Sequence, residues 1–561
     1  MKLILTLFNR NLLIFLFLIS LISFPSLSLS KHNSVVVTRH HLATEVGSKI
    51  LQDGGNAFDA AISVAFALAV VNPSAGNIGG GGFALLYDAN KRTIESIDYR
   101  ERAPIKAKED MFLDENGNVI KGLSTSSFLA SGIPGTVDGM YKIHKKYGSF
   151  PISKLISPAI DLAEKGFTLS KFQANYFNKN RDKFSKNPET KKIFVKKDMW
   201  KKGDLFKQKD LAKTLKRISK FGRDEFYSGE TAKKIVNYFK KNGGIFTQND
   251  FLNYQSTFKP PLCSTFIEYN ICSMSLPSSG GIVLSQSLNI LENFDLSSYD
   301  HDSLDYNRLL TEAMRFSFAD RSEFLGDADF NNFDISKITS KEYAKTLASI
   351  IKSSKSKVAI DYPGEYFTES EETTHFSIID SNGNAVSNTY TLNTAYGSGI
   401  IAKGTGILMN NEMDDFSIKP GFPNFFGLVG SDANKVESKK APLSSMTPTI
   451  VLKEGKPFLI TGSPGGSTII STVLQLLLNV LIFDMEIDEA SKAKRIHHQW
   501  KPDVLFIENE KYLKDIDELG FDTIYRERIG ETHSILFHKD RYEGFADLRR
   551  PDGKAISVHQ D

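Results

Sequence analysis

The sequence predicts a protein that mixes helices with strands, built either as about three domains or as one large α/β unit. The chain has 561 residues, of which 41% are hydrophobic and 24% charged, as is ordinary for a soluble globular protein. Domains usually span roughly 100–200 residues, so this length allows either arrangement. Helical patterns precede a strand-like segment in the first half, and a second strand pattern begins abruptly at Thr373.

The first 30 residues have the pattern of an export signal. Lys2 and Arg10 supply positive charge, residues 12–22 form a short apolar run, and residues 25–30 are small and polar enough for cleavage. We therefore predict a signal peptide over residues 1–30 and an exported protein, either periplasmic or secreted. An uncleaved membrane anchor is the alternative, although the apolar run is shorter than the ~20 residues of a spanning helix.

Charge and cysteine content narrow the range of partners. The 69 basic residues nearly balance the 66 acidic ones, and a net charge of +3 argues against nucleic acid as the main partner. Cys263 and Cys272 flank a predicted strand–turn–strand. They could pair in an oxidising compartment or remain two buried thiols, and they do not support a zinc site.

A helical pattern covers residues 44–71, with a break at 53–56, and a glycine-rich segment at 76–82 leads into a predicted strand at 83–87. A dinucleotide-binding turn needs the opposite order, with the strand before the glycines. We therefore interpret the glycines as positions where backbones pack too closely for side chains.

The middle of the chain is mostly helical in pattern. Leu211, Leu215 and Ile218 share one helical face, and residues 231–239 repeat that spacing. Residues 340–372 are polar and predict an exposed linker that ends at Glu372.

The strand pattern at Thr373 predicts a hairpin that turns at residues 382–383, an Asn-Gly pair. With a two-residue loop, Thr373 would face Leu392. Thr391 and Asn393 would flank that partner with their side chains on the opposite face. Contact with Thr373 would then need a bulge or a bend, and a longer loop would shift the register.

A threonine at the start of a chain carries its own base. Its free α-amine has a pKa of about 7.7–8.0, which suits proton transfer from the hydroxyl near neutral pH. The nitrogen of Thr373 is an amide until the bond after Glu372 is cut. Because a Thr-Thr pair that opens a strand is more commonly structural, this pattern alone does not establish a nucleophile.

Several segments resemble the γ-glutamyltransferases, a family of N-terminal-nucleophile hydrolases. Residues 373–377 and 388–393 are similar to the start of the small subunit in that family. The resemblance extends over essentially the whole mature chain, because further similar segments follow in the family's order: 77–83, 98–101, 134–136, 410–416, 442–448, 462–467 and 497–500.

The resemblance implies an αββα sandwich, an α+β fold with two stacked sheets between outer helices. A large subunit (31–372) and a small subunit (373–561) would build this N-terminal-nucleophile hydrolase fold jointly and remain a heterodimer. The implied reaction transfers the γ-glutamyl group of glutathione or a related γ-glutamyl compound. Water, an amino acid or a peptide would accept the group from an acyl-enzyme on Thr373.

The resemblance also implies the nucleophile and its neighbours. Thr373 would attack the carbonyl of Glu372 during self-cleavage and the substrate afterwards. Thr391 and Asn393 would orient its hydroxyl and its amine.

Five further residues are implied to bind the amino-acid end of the substrate. Arg100 would hold the α-carboxylate with its planar fork of donors, assisted by Ser444 and Ser445. Asp415 would bind the α-ammonium with help from Glu412, a position where the family also carries Gln.

The backbone N–H groups of Gly465 and Gly466 are implied to form an oxyanion hole. A predicted helix at 468–478 follows them, and the start of a helix offers free N–H donors at the positive end of its dipole. A phosphate-binding loop would instead carry Lys after the glycines.

We predict neither a metal nor an organic cofactor, because the N-terminal amine supplies the base. The pair Asp414 and Asp415 has no His or Cys at ligand spacing. His497 and His498 would point to opposite faces of a strand, which favours packing or polar support over ligation.

The loop at 420–427 resembles the lid of bacterial members, with one departure. Phe426 stands where those members usually carry Tyr, so a hydroxyl bond from the lid to Asn393 cannot form. The lid would then close by apolar contact.

Two rival functions remain at this point. A cephalosporin (glutaryl) acylase or a polyglutamate-acting enzyme would share the fold, but a glutaryl substrate lacks the ammonium and would leave a buried Asp415 unpaired. An unprocessed binding protein for γ-glutamyl compounds is the rival from another class, and the intact Thr373, Thr391 and Asn393 argue against it.

Overall fold

The computed structural model describes residues 33–353, 373–514 and 521–558. The predicted signal peptide, Glu372 and residues 354–372 of the predicted linker lie outside these ranges. Within them, no helix combines the length and apolar character needed to cross a lipid bilayer.

Strands β1–β18 of the described chain run in this order: Ser34–Thr38, Gly81–Asp88, Thr93–Tyr99, Phe167–Thr168, Leu205–Phe206, Thr257–Lys259, Leu262–Phe266, Tyr269–Ser273, Thr373–Ile379, Ala385–Thr391, Thr449–Lys453, Lys456–Thr461, Ile496–His497, Val504–Ile507, Asp522–Tyr525, His533–His538, Arg541–Ala546 and Lys554–Val558.

Helices α1–α18 of the same residues are His41–Gln52, Ala57–Val71, Leu123–Ser126, Thr136–Tyr147, Ile152–Lys165, Lys171–Lys179, Arg181–Ser185, Pro188–Phe194, Lys209–Phe221, Arg223–Tyr227, Glu230–Lys241, Gln248–Leu252, Gly280–Leu291, Leu304–Phe324, Ser336–Thr339, Lys341–Ser353, Thr468–Leu481 and Ile487–Lys492. Short 3₁₀ turns lie at Leu296–Ser298, Glu412–Asp415, Asp432–Asn434 and Glu510–Lys514.

Two antiparallel sheets form the centre of the molecule. The first has the order β18-β1-β9-β10-β2-β3-β6 and the second β17-β16-β12-β11-β8-β7. Each sheet combines strands that precede Thr373 with strands that follow it, so both predicted subunits contribute to both sheets. Smaller sheets β13-β14-β15 and β4-β5 lie outside this pair.

The alternation of side chains along β1 separates the layers. Val35 and Val37 pack with Ile450 and Ile535 of the second sheet, while Val36 belongs to the core beneath the helices. One face of β1 therefore packs on the second sheet and the other face packs under the helices. Because both faces are covered, all five residues of β1 are buried.

Helices cover the outer face of each sheet. Helix α2, buried along its whole length, packs on the first sheet, and helices α13, α14 and α17 share a core with the second. The four layers confirm the predicted αββα sandwich.

The predicted register of the central hairpin is wrong by one residue. The loop holds three residues rather than two, because the N–H of Asp380 bonds the carbonyl of Asn384 at 3.0 Å. Thr373 of β9 therefore faces Thr391 of β10 directly. Directly opposed residues share a face of the sheet, so contact between them needs no bulge.

The glycine-rich segment packs against backbone, as predicted. A Cβ on Gly79 would lie 2.1 Å from the carbonyl oxygen of Leu408, and one on Gly80 would lie 2.1 Å from that of Thr391. These glycines let the segment before β2 approach the end of the strand that carries Thr391.

The linker prediction is wrong for its first part. Residues 341–353 form helix α16, and its Ala344, Leu347 and Ala348 are buried. These three positions have helical spacing, but the surrounding Lys and Ser residues made the segment look irregular. The helical faces predicted at 211–218 and 231–239 are confirmed.

Cys263 and Cys272 form a disulfide that joins neighbouring positions of β7 and β8. The sequence had left this pairing open against two free thiols.

Candidate active site

The site lies where Thr373 opens the central strand β9, between β1 and β10. The pairing of β1 with β9 ends at Thr38 and Phe376, so the strand ladder from β1 does not reach the carbonyl of Thr373. The guanidinium of Arg39, the next residue after β1, donates a hydrogen bond to that carbonyl at 2.6 Å. Arg39 thus replaces the missing strand partner, a role that the sequence analysis did not foresee.

The hydroxyl groups of Thr373 and Thr391 lie 3.4 Å apart, and both side chains are buried. The Thr391 hydroxyl also accepts the backbone N–H of Asn393 at 2.9 Å. Asn393 has φ = 77°, and its side chain donates to the carbonyl of Asn411 at 3.0 Å. Thr391 therefore contacts Thr373, as the resemblance implied. The side-chain amide of Asn393 instead donates its hydrogen bond to Asn411.

Thr373 lines a pocket that is partly open to solvent. The pocket brings together nine of the predicted residues, namely Thr373, Thr391, Asn393, Arg100, Glu412, Asp415, Ser444, Ser445 and Gly466. Gly465 precedes Gly466 without lining the pocket, and Glu372 lies outside the described residues.

Arg100 is fully buried in one wall of the pocket and bonds two of the predicted acidic residues. It donates to Asp415 Oδ2 at 2.6 Å, to Glu412 Oε1 and, through Nε, to the carbonyl of Pro442 at 3.1 Å. The carboxylate of Glu101 lies 3.6 Å from the same guanidinium. The residues predicted for the two ends of an amino acid therefore neutralise one another in this structure.

Burial and crowding shift the pKa values of this cluster. Burial raises the pKa of Glu412 well above its usual value, although Arg100 opposes the shift, and it raises that of Asp415 in the same way. The pKa of Glu101 rises to about 7 for the same reason. Burial lowers the pKa of Arg100, but its three acidic neighbours outweigh this effect and keep the guanidinium charged.

Ser444 and Ser445 line the same pocket as Arg100. The hydroxyl of Ser444 accepts the backbone N–H of Met446 at 3.0 Å, and that of Ser445 accepts Nη2 of Arg321 at 3.2 Å. Arg321 belongs to helix α14 and lines the pocket. Arg321 was not predicted from the sequence, because this helix contains both polar and apolar residues and no local motif indicates that Arg321 faces a pocket.

Gly465 and Gly466 lie just before helix α17, as predicted. Both have positive φ, 134° and 56°, which only glycine adopts without strain. Among the described residues, neither backbone N–H donates to another backbone group, and Gly466 alone of the two lines the pocket. A Cβ on Gly466 would lie 2.5 Å from the ring of Phe426.

The loop that resembles a lid contributes Phe426 to the pocket and is held by bonds within the loop and by one from Gln499. The side-chain oxygen of Asn424 accepts the N–H groups of Phe426 and Leu428, each at 3.0 Å. Gln499 donates to the carbonyl of Phe426 at 3.2 Å. The ring of Phe426 thereby lies against Gly466.

Asp414 supports the lid and does not face Arg100. It accepts the hydroxyl of Ser124 at 2.7 Å and the N–H of Phe425 at 2.9 Å. Burial raises its pKa to about 6.

The two adjacent histidines make separate polar contacts. His497 Nδ1 lies 2.8 Å from the hydroxyl of Ser471, and His498 Nε2 lies 3.1 Å from Asp503. No group of three potential metal ligands is found among the described residues.

Comparison with known proteins places the chain in a family. The family profile of γ-glutamyltranspeptidase matches residues 43–557. The glutathione hydrolase proenzyme of Escherichia coli (strain K12) is 46% identical over 518 residues, which cover 91% of this chain and 89% of the relative.

Two solved structures show the corresponding fold. The γ-glutamyltranspeptidase of Helicobacter pylori is 48% identical with a TM-score of 0.55, covering 56% of this chain and 90% of that one. The cephalosporin acylase from Bacillus halodurans has a TM-score of 0.84 and covers 95% of this chain and 96% of its own. At 24% identity it supports the fold alone. The extent of the profile match and the similarity to the Escherichia coli proenzyme show that this chain belongs to the γ-glutamyltranspeptidase family.

Proposed function

We propose that the chain is a glutathione hydrolase and γ-glutamyltransferase that cuts itself before Thr373. The observation that carries the proposal is that Thr373 lines the same pocket as a fully buried Arg100 and its acidic partners. Hydrolysis of a γ-glutamyl amide requires a hydroxyl that attacks the γ-carbonyl. It also requires a cationic and an anionic site to bind the α-carboxylate and the α-ammonium at the other end of the substrate.

Maturation would begin with the attack of the Thr373 hydroxyl on the carbonyl of Glu372. The backbone nitrogen of Thr373 leaves as the ester forms, and water then opens the ester. This exchange leaves a carboxylate on Glu372 and a free α-amine on Thr373. The bond between Thr391 and Thr373 would orient the hydroxyl in both the precursor and the mature enzyme.

Acyl transfer would follow the same geometry. The Thr373 α-amine takes the proton of its own hydroxyl as the oxygen attacks the γ-amide carbonyl, and then passes that proton to the departing amine. The N–H groups of Gly465 and Gly466 would stabilise the negative oxygen, a contribution commonly worth ~2.7–4 kcal/mol for each donor. Water or the amine of an acceptor then releases the γ-glutamyl group from Thr373.

Selectivity would arise from an exchange of ion pairs in the pocket. A substrate brings a carboxylate and an ammonium on the same carbon, so its carboxylate can take the place of Glu412 and Asp415 at Arg100. Those two residues can then bind the ammonium. Each buried charge keeps a partner throughout, which avoids the large cost of leaving one unpaired.

The chain would function as a heterodimer of residues 31–372 and 373–561 after export. The interleaving of strands from both segments in both central sheets supports a stable pair. The periplasm or the exterior remains the proposed location on the basis of the sequence pattern at residues 1–30.

The test compares a γ-glutamyl anilide with the glutaryl anilide that lacks the ammonium. We expect the mature enzyme to prefer the γ-glutamyl compound by roughly 10²-fold in kcat/KM, because the glutaryl compound leaves buried carboxylates unpaired. Thr373→Ala should abolish turnover of both substrates, while Asp415→Asn should reduce the preference.

Equal or better turnover of the glutaryl compound would favour the acylase function. Binding of γ-glutamyl compounds without turnover, by an intact single chain, would favour the unprocessed binding protein instead.

A further inference from the structure

Arg321 is a buried cation in the wall of the pocket, and it forms no salt bridge with any residue that the structure describes. Arg321 lies in the last turn of helix α14 and is only 4% exposed. No carboxylate among the described residues lies within salt-bridge distance of it, and the nearest acidic influence is that of Asp415. Burial lowers its pKa to about 10, which still leaves the guanidinium positive at neutral pH.

The guanidinium supports the segment of Ser444 and Ser445 at two points. Nη2 donates directly to the Ser445 hydroxyl at 3.2 Å. Nε donates to the Ser279 hydroxyl at 2.9 Å, and that hydroxyl in turn donates to the carbonyl of Ser444 at 2.7 Å. One buried side chain thus fixes both serines.

These contacts determine where the serine protons can point. A hydroxyl has one proton to donate, and in Ser445 an accepting lone pair is already occupied by Arg321. The Ser444 hydroxyl likewise accepts from Met446. Neither hydroxyl donates to a group among the described residues, so each proton is available to an acceptor that enters the pocket.

We propose that Arg321 is a positioning residue that presents Ser445 as a donor to the substrate α-carboxylate and adds positive charge at that end of the pocket. The inference rests on the proposed function and deepens it. The charge of Arg100 is offset by Glu412 and Asp415, whereas no carboxylate in the described part of the chain lies at bonding distance from Arg321. The carboxylate would therefore be attracted by two guanidinium groups and held by two hydroxyls.

The test uses two substrates that differ only at the proposed contact, a γ-glutamyl anilide and the same compound with an α-carboxamide. For Arg321→Gln we expect KM for the acid to rise about tenfold or more, with a smaller change in kcat, since bonds to charged groups are the stronger ones. Turnover of the carboxamide should change less than about threefold. Arg321→Lys should keep part of the preference, because it retains charge without the fork of donors.

Arg308→Gln is the matched control, since Arg308 lies exposed on the same helix. It should leave both substrates unaffected.

Equal loss on both substrates, or an unchanged preference for the acid, would overturn the role of Arg321. If Arg321→Gln does not fold, the same comparison with Arg321→Lys decides. A parent enzyme that fails to hydrolyse the γ-glutamyl anilide, or does not prefer the acid, would instead refute the proposed function.

Discussion

At Thr373, one contact comes from the adjacent strand of the same hairpin and another from a distant part of the chain. Thr391 lies opposite its hydroxyl, and Arg39 holds its carbonyl from a position 334 residues earlier in the sequence. A hydroxyl attack depends on fixed geometry, and displacements of about 1 Å can cost 10²-fold in rate. Both neighbours are therefore expected to affect maturation as well as turnover.

Replacement of Thr391 tests the hydroxyl contact. Thr391→Val keeps the shape and removes the oxygen that lies 3.4 Å from Thr373, so we expect self-cleavage and kcat to fall by at least about tenfold. Thr391→Ser keeps the oxygen and should retain most of both rates. Cleavage is followed by gel electrophoresis and kcat with a γ-glutamyl anilide. Equal rates for the Val and Ser variants would show that the contact is not used.

Replacement of Arg39 should change the pH dependence. A cation bound to the Thr373 carbonyl would disfavour protonation of the α-amine that cleavage frees and would lower its pKa, although Glu531 at 3.4 Å from Arg39 offsets part of the charge. In Arg39→Gln the amine pKa should rise, so the acidic limb of the kcat/KM profile should move to higher pH by about 0.5–1 unit.

Arg39→Lys retains the charge and should keep the limb near its original position. A fall in kcat with no movement of the limb in Arg39→Gln would limit Arg39 to a steric role.

The residues that carry motifs were predictable, and those that act through long-range packing were not. Arg100, Asp415 and Ser444 were found because their segments resemble the family's. Arg39 and Arg321 lie in no recognisable motif. The position of Arg39 follows from where the β1–β9 pairing ends, and that of Arg321 from the buried face of helix α14.

Among the elements, the central hairpin shows how one side chain changes a register. Oδ1 of Asp380 accepts the N–H groups of Asn382 and Asn384 at 2.9 and 3.0 Å. These bonds stabilise a three-residue loop, so the Asn-Gly signal gave the turn correctly but its length wrongly. The difference of one residue is what places Thr391 directly opposite Thr373.

Activity is expected to be sensitive to a single methyl group added at Gly466, where the segment before helix α17 contacts the lid loop. In Gly466→Ala the new Cβ would lie 2.5 Å from the ring of Phe426, at a residue whose φ is 56°. We expect kcat to fall by about 10²-fold, because the donor beside the reacting carbonyl shifts.

The double variant Gly466→Ala with Phe426→Leu tests the steric part of this effect. It should recover some activity, because the clash is relieved while the backbone strain remains. No recovery would indicate that the backbone conformation of Gly466, and not the lid, is the sensitive feature.

On the scale of the whole molecule, the αββα layers were predicted from the family resemblance, since the sequence pattern alone indicated only a mixture of helices and strands. Helix α16 was not predicted, because its short buried face is surrounded by polar residues. The burial of ionisable groups was also not predictable, since it depends on which elements stack. Glu101 is the clearest example, being fully buried beside Arg100.

Stability should therefore depend on Glu101 in a pH-dependent way. Its pKa is about 7 in the folded protein, above the value of about 4.3 expected when unfolded. Between these values the folded state keeps a proton that the unfolded state has lost, so this contribution to stability is present at low pH and is lost as pH rises through 7.

Glu101→Gln removes this titrating carboxyl, so the difference in stability between variant and parent should change with pH. Relative to the parent, the variant should gain about 2 kcal/mol between pH 5 and pH 8, seen as a rise of a few degrees in relative Tm. A constant difference in Tm over this range would contradict the assigned pKa.

The central claim is that the chain becomes an enzyme when the bond before Thr373 breaks and frees an amine beside its own hydroxyl. N-terminal sequencing of the mature protein, expressed alongside Thr373→Ala, tests this most directly. We predict two chains, the smaller beginning at Thr373, and a single uncut chain in the variant. Full activity in an uncut protein, or normal cleavage in Thr373→Ala, would contradict the account.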